Sequence, residues 1–254
     1  MNLMEGKNAV ITGAARGIGR AIAEGFYNQG ANVLLTDFDE EKGRQAVSEI
    51  ECGRANKIFF RKMNVTDSKE VAESIEFAAE QFGKVDTFVN NAGILIAHEV
   101  VDFPLEEWQK VFRVNMEGTF ICSQAAVRYM ISNNVRGSIL NIASASSRKA
   151  DAKHAAYSAS KAAIVEFARV LALEVGKYGI RVNSILPGAT ETDMLAAVFK
   201  EVDGLREDII SKTLLRKLGK PEDDANAAVF LCSEMASHIT GEYLVVSGGE
   251  FLNP

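Results

Sequence analysis

The sequence predicts an α/β fold in which one doubly wound, seven-stranded parallel sheet carries helices on both faces. Two observations lead there. Short β-branched runs alternate with helix-length segments along the whole chain, and the runs are nearly continuously apolar, as strands covered on both faces must be. Right-handed crossovers between successive strands then wind the sheet in both directions.

The elements follow in order. "KNAVIT" (7–12) opens the sheet and runs into the glycine-rich "TGAARGIGRAIAEGF" (12–26), with a helix expected over 17–29. "ANVLLTD" (31–37) is the second strand; the helix over 39–52 starts in "DEEKG", where Asp37 or Asp39 can serve as its cap. "KIFFRKMNV" (57–65) precedes a helix over 67–82, and "VDTFVNNAG" (85–93) precedes one long helix over 105–132. "GSILNIAS" (137–144), a helix over 157–177 and "IRVNSILPG" (180–188) come next. A helix over 221–233 and the strand "EYLVVSGG" (242–249) close the chain. Between the sixth strand and the last helix, helical pieces interrupt the path over 189–216, above the carboxyl edge of the sheet, which makes this stretch the candidate substrate lid. There is no Pro/Ser-rich linker, low-complexity tract or repeat, and the four prolines fall at element edges, so residues 1–254 are expected to form a single domain.

With 47% apolar and 24% charged residues, the chain can bury a sizeable core unaided. Its 28 basic against 34 acidic residues give a net charge of −6, which argues against nucleic acid or an anionic membrane as partner. Cys52, Cys122 and Cys232 are odd in number and scattered, with no disulfide or zinc spacing, as in a reducing, cytoplasmic setting. The first apolar run is too short for a signal or a membrane span.

In the turn after the first strand, Gly13, Gly17 and Gly19 are spaced GxxxGxG and lead straight into a helix. Glycine permits the tight turn and close backbone approach that let helix-terminal amides meet a pyrophosphate. No GK[ST] follows, which disfavours a P-loop. Asp37 ends the second strand 18 residues beyond Gly19, where a carboxylate accepts hydrogen bonds from an adenosine ribose and repels a 2′-phosphate. That points to NAD; Arg16, inside the loop, is a cation that can meet a 2′-phosphate and keeps NADP open.

In "AYSASK" (156–161), Tyr157 and Lys161 stand four apart, on one face of a helix, where an ammonium favours the phenolate over a phenol of ordinary pKa about 10. By itself the pair is an acid/base site or a surface contact, and the rest of the chain decides. TGAARGIG (12–19), NNAG (90–93), Asn115 in "VNMEG", Ser144 in "NIAS", the unit from Tyr157 to Lys161 and "PGATETDM" (187–194) occur in the order and spacing of the short-chain dehydrogenase/reductases. The sequence resembles that family over essentially its whole length, with Ser144 thirteen residues before Tyr157.

The resemblance implies a Rossmann-type fold, a homotetramer or homodimer, and a role for each matching residue. Tyr157 would be the catalytic acid/base, Lys161 would lower its pKa and bind the nicotinamide ribose, and Ser144 would hydrogen-bond the substrate oxygen. Asn115 would hold a water linking Lys161 to solvent. Gly13, Arg16, Gly17, Ile18 and Gly19 would line the dinucleotide with Asp37. Asn91, Ala92 and Gly93 would lie beside the crevice, with Asn90 toward the adenosine side. Pro187, Gly188, Thr190 and Thr192 would meet the nicotinamide amide and the pyrophosphate. Two positions depart from the pattern: Asn64, before Val65, stands where an aspartate often contacts adenine, and Ser247 stands where aspartate is common. The Asn64 amide can still pair with the adenine amino group.

Three other features have plain readings beside functional ones. His98 and His154 fall near the expected substrate mouth but suit solvated loops; "SRKADAKH" (147–154) can attract an acidic substrate or be a solvated turn; Trp108 and Phe112 suit packing. The leading expectation is an NAD-dependent interconversion of a small-molecule secondary alcohol (polyol, sugar, steroid or diol) with its ketone. An NADPH-linked 3-oxoacyl-(acyl carrier protein) reductase is the alternative. A catalytically silent dinucleotide-binding protein would be expected to lack the Tyr, Lys or Ser, and none is missing.

Overall fold

Every apolar run forms a strand: β1 (Asn8–Thr12), β2 (Asn32–Asp37), β3 (Ile58–Lys62), β4 (Thr87–Asn90), β5 (Ser138–Ile142), β6 (Arg181–Pro187) and β7 (Tyr243–Val246). The computed structural model describes residues 2–201 and 203–252, for Glu201 and Phe251 the backbone alone. Met1, Val202, Asn253 and Pro254 lie outside the described residues, Val202 within the expected lid.

The strands make one sheet of order β3-β2-β1-β4-β5-β6-β7, parallel throughout. The chain winds outward from β1 to β3, returns, and leaves from β4 in the other direction. The crevice at the switch between β1 and β4 is where such sheets take ligands.

Both faces are covered, which is why the strands read as unbroken apolar runs. Ala9, Ile11, Val33 and Leu35 pack with α1 (Gly17–Asn28), α2 (Glu40–Ile50) and α9 (Pro221–Cys232). Val10, Leu34 and Phe88 pack with α3 (Ser68–Phe82), α5 (Gly118–Ser132) and α6 (Ala155–Val175). Burying one such side chain stabilises by about 1.5–3 kcal/mol, so each face alone outweighs local propensity.

The helix starts are chemically marked. Asp39 caps α2 through the Lys42 amide (3.1 Å), which leaves Asp37 for other work. Asp67 caps α3 through the amides of Lys69 and Glu70, and Gly83 ends it in the left-handed conformation.

Beyond shorter element ends, two helices differ from the sequence expectation. The stretch expected as one helix over 105–132 is α4 (Leu105–Phe112), a π-helical turn over Arg113–Glu117 and then α5. A widened turn leaves no trace in apolar periodicity. The helix expected from 157 starts at Ala155, two residues earlier. The 189–216 segment carries α7 (Asp193–Glu201) and α8 (Leu205–Lys212). Among the described residues, no helix is long and apolar enough to cross a membrane.

Candidate active site

The turn leaving β1 is pressed against the chain leaving β4. The amides of Asn91 and Ala92 both donate to Thr12 Oγ1, at 3.0 and 3.1 Å. The Asn91 side-chain nitrogen donates to the carbonyls of Thr12 (3.0 Å) and Gly13 (2.8 Å). A Cβ on Gly13 would stand 2.7 Å from Ala92 Cα, and one on Gly19 would collide with the Asn91 amide and the Gly13 carbonyl. Gly13 and Gly17 also take φ values of +61° and +57°, which side-chain-bearing residues rarely adopt. These glycines therefore serve the backbone packing of the turn, and Asn91, expected beside the crevice, spends its amide holding that turn.

The turn delivers the N-terminus of α1 with Arg16 in the cap position. No side chain caps it, and no acidic residue stands in the first turn. The amides of Gly17, Ile18 and Gly19 thus sit at the positive end of a 12-residue helix without a side-chain acceptor, the chemistry that fits a pyrophosphate. Asp37 is half-buried beside the same turn, where its carboxylate accepts the amides of Ala15 and Asp39, both at 3.0 Å. Arg16 is exposed and lies near Asp39, whose carboxyl is held below its ordinary value chiefly by the Lys42 amide, with Lys42 and Arg16 adding their charge.

On the adenine side two of the expected residues already have protein partners. The Asn64 side-chain oxygen, which adenine pairing would use, already accepts from the Thr66 amide (3.1 Å) and hydroxyl (2.9 Å), because this residue builds the turn into α3. Asn90 is buried and its side-chain nitrogen donates to Ser123 Oγ and Asn141 Oδ1, tying β4 to α5 and β5. Val65 is buried against Gly118.

Ser144 lies just beyond β5, and Tyr157 and Lys161 lie on the first turns of α6. Ser144 and Tyr157 are neighbours, and the serine hydroxyl acts on the phenol. Lys161 Nζ stands 5.7 Å from the Tyr157 ring centre and donates to the Ile142 carbonyl at 2.8 Å. Asn115, fully buried in the π-helical turn, exchanges hydrogen bonds with the Ile94 backbone (2.8 and 3.0 Å) and donates to Ser160 Oγ (3.0 Å). A Cβ on Gly93 would stand 3.3 Å from both Asn115 Oδ1 and Lys161 Nζ, so this glycine keeps the approach to them narrow but open. Thr12, Ile142 and Ser160 hold the arrangement together; Thr12 and Ser160 lie inside quoted motifs without a role assigned there, and Ile142 lies in none.

The electrostatics invert one expectation. Burial pushes the Tyr157 phenol above its ordinary value, opposed by the Ser144 hydrogen bond and reinforced by the Asp151 carboxylate. Burial also pulls Lys161 down to about 8. Desolvation is thus the largest influence on both groups, and it outweighs what the spacing read from the sequence suggests for the phenol.

At the mouth, Ser146 donates its amide to Ser144 Oγ (3.1 Å) and its hydroxyl to Asp151 (2.8 Å), and the His154 ring meets Tyr157 edge-on at 6.4 Å. His98 is bound to Glu107 (2.7 Å) and meets Phe103 edge-on, and Trp108 stacks on Phe112, a packing contact. Of the cations in 147–154, Arg148 is held by Tyr243 and Lys149 by Glu250, so two of the three are not free to draw in an anion.

The segment after β6 runs from Pro187 and Gly188 to Thr190, whose hydroxyl is buried and donates to Asp224 Oδ2 (3.1 Å). That contact turns the Thr190 side chain toward α9; burial pushes the Asp224 carboxyl up to about 7. Thr192 lies over Gly17 and caps α7. Between α1, α7, α8 and α9 lies a cleft of about 550 Å³ lined by Gly17, Arg20, Thr192, Phe199, Arg206 and Leu218.

Comparison with known proteins is consistent along the chain. A family model described as enoyl-(acyl carrier protein) reductase matches residues 13–250. Glucose 1-dehydrogenase 2 of Bacillus subtilis (strain 168) is 36% identical, across 99% of this chain and 97% of its own length. The 3-oxoacyl-[acyl-carrier-protein] reductase FabG of Escherichia coli (strain K12) is 38% identical across 98% of each chain. Among solved structures, a 7α-hydroxysteroid dehydrogenase complexed with NADH and 7-oxo glycochenodeoxycholic acid superposes with a TM-score of 0.92 at 36% identity, across 98% of this chain and 95% of that one.

The Asp151 effect can be read directly. Ultraviolet difference titration of the protein against Tyr157→Phe is expected to show the Tyr157 phenolate forming above the range of a free phenol, and Asp151→Asn to move that step to lower pH.

Proposed function

The chain belongs to the short-chain dehydrogenase/reductase family, oxidoreductases of alcohols and ketones, and on that premise we propose that it transfers a hydride between NAD(H) and a neutral secondary alcohol or its ketone. The observation that carries this reading is the convergence of Ser144, Tyr157 and Lys161 at the carboxyl edge of β5, across Gly93 from the open N-terminus of α1. The nicotinamide ring, when bound, supplies the hydride chemistry itself.

Each residue has a task in this reading. The amides of Gly17, Ile18 and Gly19 hold the pyrophosphate, and Asp37 takes the ribose hydroxyls. Tyr157 gives its proton to the carbonyl oxygen in reduction and takes one from the alcohol in oxidation. Ser144, whose hydroxyl acts on the phenol, shares the substrate oxygen and stabilises the charge that develops there. Lys161 is anchored by the Ile142 carbonyl next to Tyr157, within the narrow approach bordered by Gly93. Asn115 fixes the Ile94 backbone and Ser160, which keeps the floor under Lys161 in place.

Two features support NAD and an uncharged substrate. Asp37 is turned into the glycine turn, and Arg16 is exposed with Asp39 beside it. At the mouth the Asp151 carboxylate acts on Tyr157, Lys149 is paired with Glu250 and Arg148 donates to the Tyr243 hydroxyl. The likeness to the Escherichia coli 3-oxoacyl reductase and the presence of Arg16 favour the second reading, an NADPH-linked acyl reductase.

Tyr157→Phe is expected to lower kcat by at least about 100-fold while NADH still binds, measured by NADH absorbance and by quenching of protein fluorescence; an unchanged rate overturns the role given to Tyr157. Asp37→Ala is expected to raise the NADPH to NADH ratio of kcat/KM by about tenfold, the worth of one charged hydrogen bond or repulsion. If the unaltered protein already prefers NADPH, the acyl reductase reading replaces this one.

A further inference from the structure

The turn after β7 touches both walls of the site. Glu250 in that turn is largely buried, its side chain 14% exposed. One carboxylate oxygen pairs with Lys149 Nζ at 3.1 Å, on the loop between β5 and α6. The other accepts the Ala189 amide at 3.3 Å, on the segment after β6. Neither segment is joined to the other by any motif, and they lie 40 residues apart in sequence, from 149 to 189.

The packing around this carboxylate is tight. A Cβ on Gly188 would stand 2.7 Å from Ser247 Cβ and 3.2 Å from Glu250 Oε2, so position 188 must be glycine for the turn to reach its place. Gly248 accepts the Leu215 amide through its carbonyl (3.0 Å), and a Cβ on Gly248 or Gly249 would press on Thr213 or Leu214 at the end of the lid. Arg148 adds a second tie from the β5–α6 loop, donating to the Tyr243 hydroxyl on β7 at 2.7 Å.

We propose that Glu250 is a positioning residue that locks the segment after β6 to the loop after β5, holding the two walls of the reaction site in register. It touches none of the residues given a chemical role, so it acts through Ala189 and Lys149. The inference rests on the proposed function only for what the two walls enclose.

Hydrogen–deuterium exchange tests the lock without any ligand. Glu250→Ala is expected to speed exchange in peptides covering both 145–153 and 187–191. Glu250→Gln keeps an acceptor for the Ala189 amide and is expected to loosen only the first, as is Lys149→Met. In the same variants, NADH titration is expected to give a Kd about tenfold higher for Glu250→Ala, with kcat at saturation within about twofold. A lowered melting temperature with Kd unchanged would make the role purely structural and overturn the proposal, as would unchanged protection of both segments in Glu250→Ala. Because exchange is read on the protein by itself, failure of the unaltered protein to bind NADH counts against the proposed function, and the exchange rates alone then decide the role of Glu250.

Discussion

One contact fixes the geometry on which the rest depends: two consecutive amides, from Asn91 and Ala92, converge on the single hydroxyl of Thr12. It sits at the switch between β1 and β4, where the sheet reverses direction and the backbones part. By closing that gap with hydrogen bonds, the molecule presses the glycine turn onto the exit of β4 so closely that neither Gly13 nor Gly19 has room for a Cβ. The helix that could hold a pyrophosphate and the strand exit leading to Gly93, Asn115 and Lys161 are thereby tied together. Anything bound across the switch meets a preformed surface, so little binding energy goes into ordering it.

Burial dominates the chemistry at the far end of that surface. Burial is the largest influence on Tyr157, and Lys161 is itself so desolvated that it is pulled down to about 8. The Ser144 hydrogen bond is the one local influence that favours the Tyr157 phenolate, and Asp151 opposes it. The same carboxylate is reached from Ser144 through Ser146.

The strands and most helices were legible because a two-sided sheet leaves unbroken apolar runs and because Asp39 offers a cap at a helix start. The site was legible at residues whose type is demanded by chemistry or backbone conformation: Tyr157, Lys161, Ser144, and Gly13 and Gly17 with their positive φ. What stayed hidden depends on contacts between segments distant in sequence or on hydrogen bonds that residue type does not reveal. Nothing near Asn64 says that its oxygen is used by Thr66, and nothing near Asn91 says that its amide belongs to the turn at Gly13. Glu250 reads as a polar residue near the terminus, and only the fold places it on Ala189 and Lys149. The Tyr157 shift runs opposite to the direction its spacing from Lys161 suggests, because spacing reveals a neighbouring charge and is silent on burial.

The central claim is that Tyr157 serves hydride transfer between a nicotinamide and a carbonyl carbon. NADH carrying deuterium at both C4 positions, incubated with the ketone of whichever alcohol an NAD-coupled screen identifies, tests it most directly by mass spectrometry of the product. The account predicts one deuterium on the carbinol carbon for each NADH consumed, and product formation reduced at least about 100-fold in Tyr157→Phe. Unlabelled alcohol, or equal labelling and rate in that variant, would contradict it.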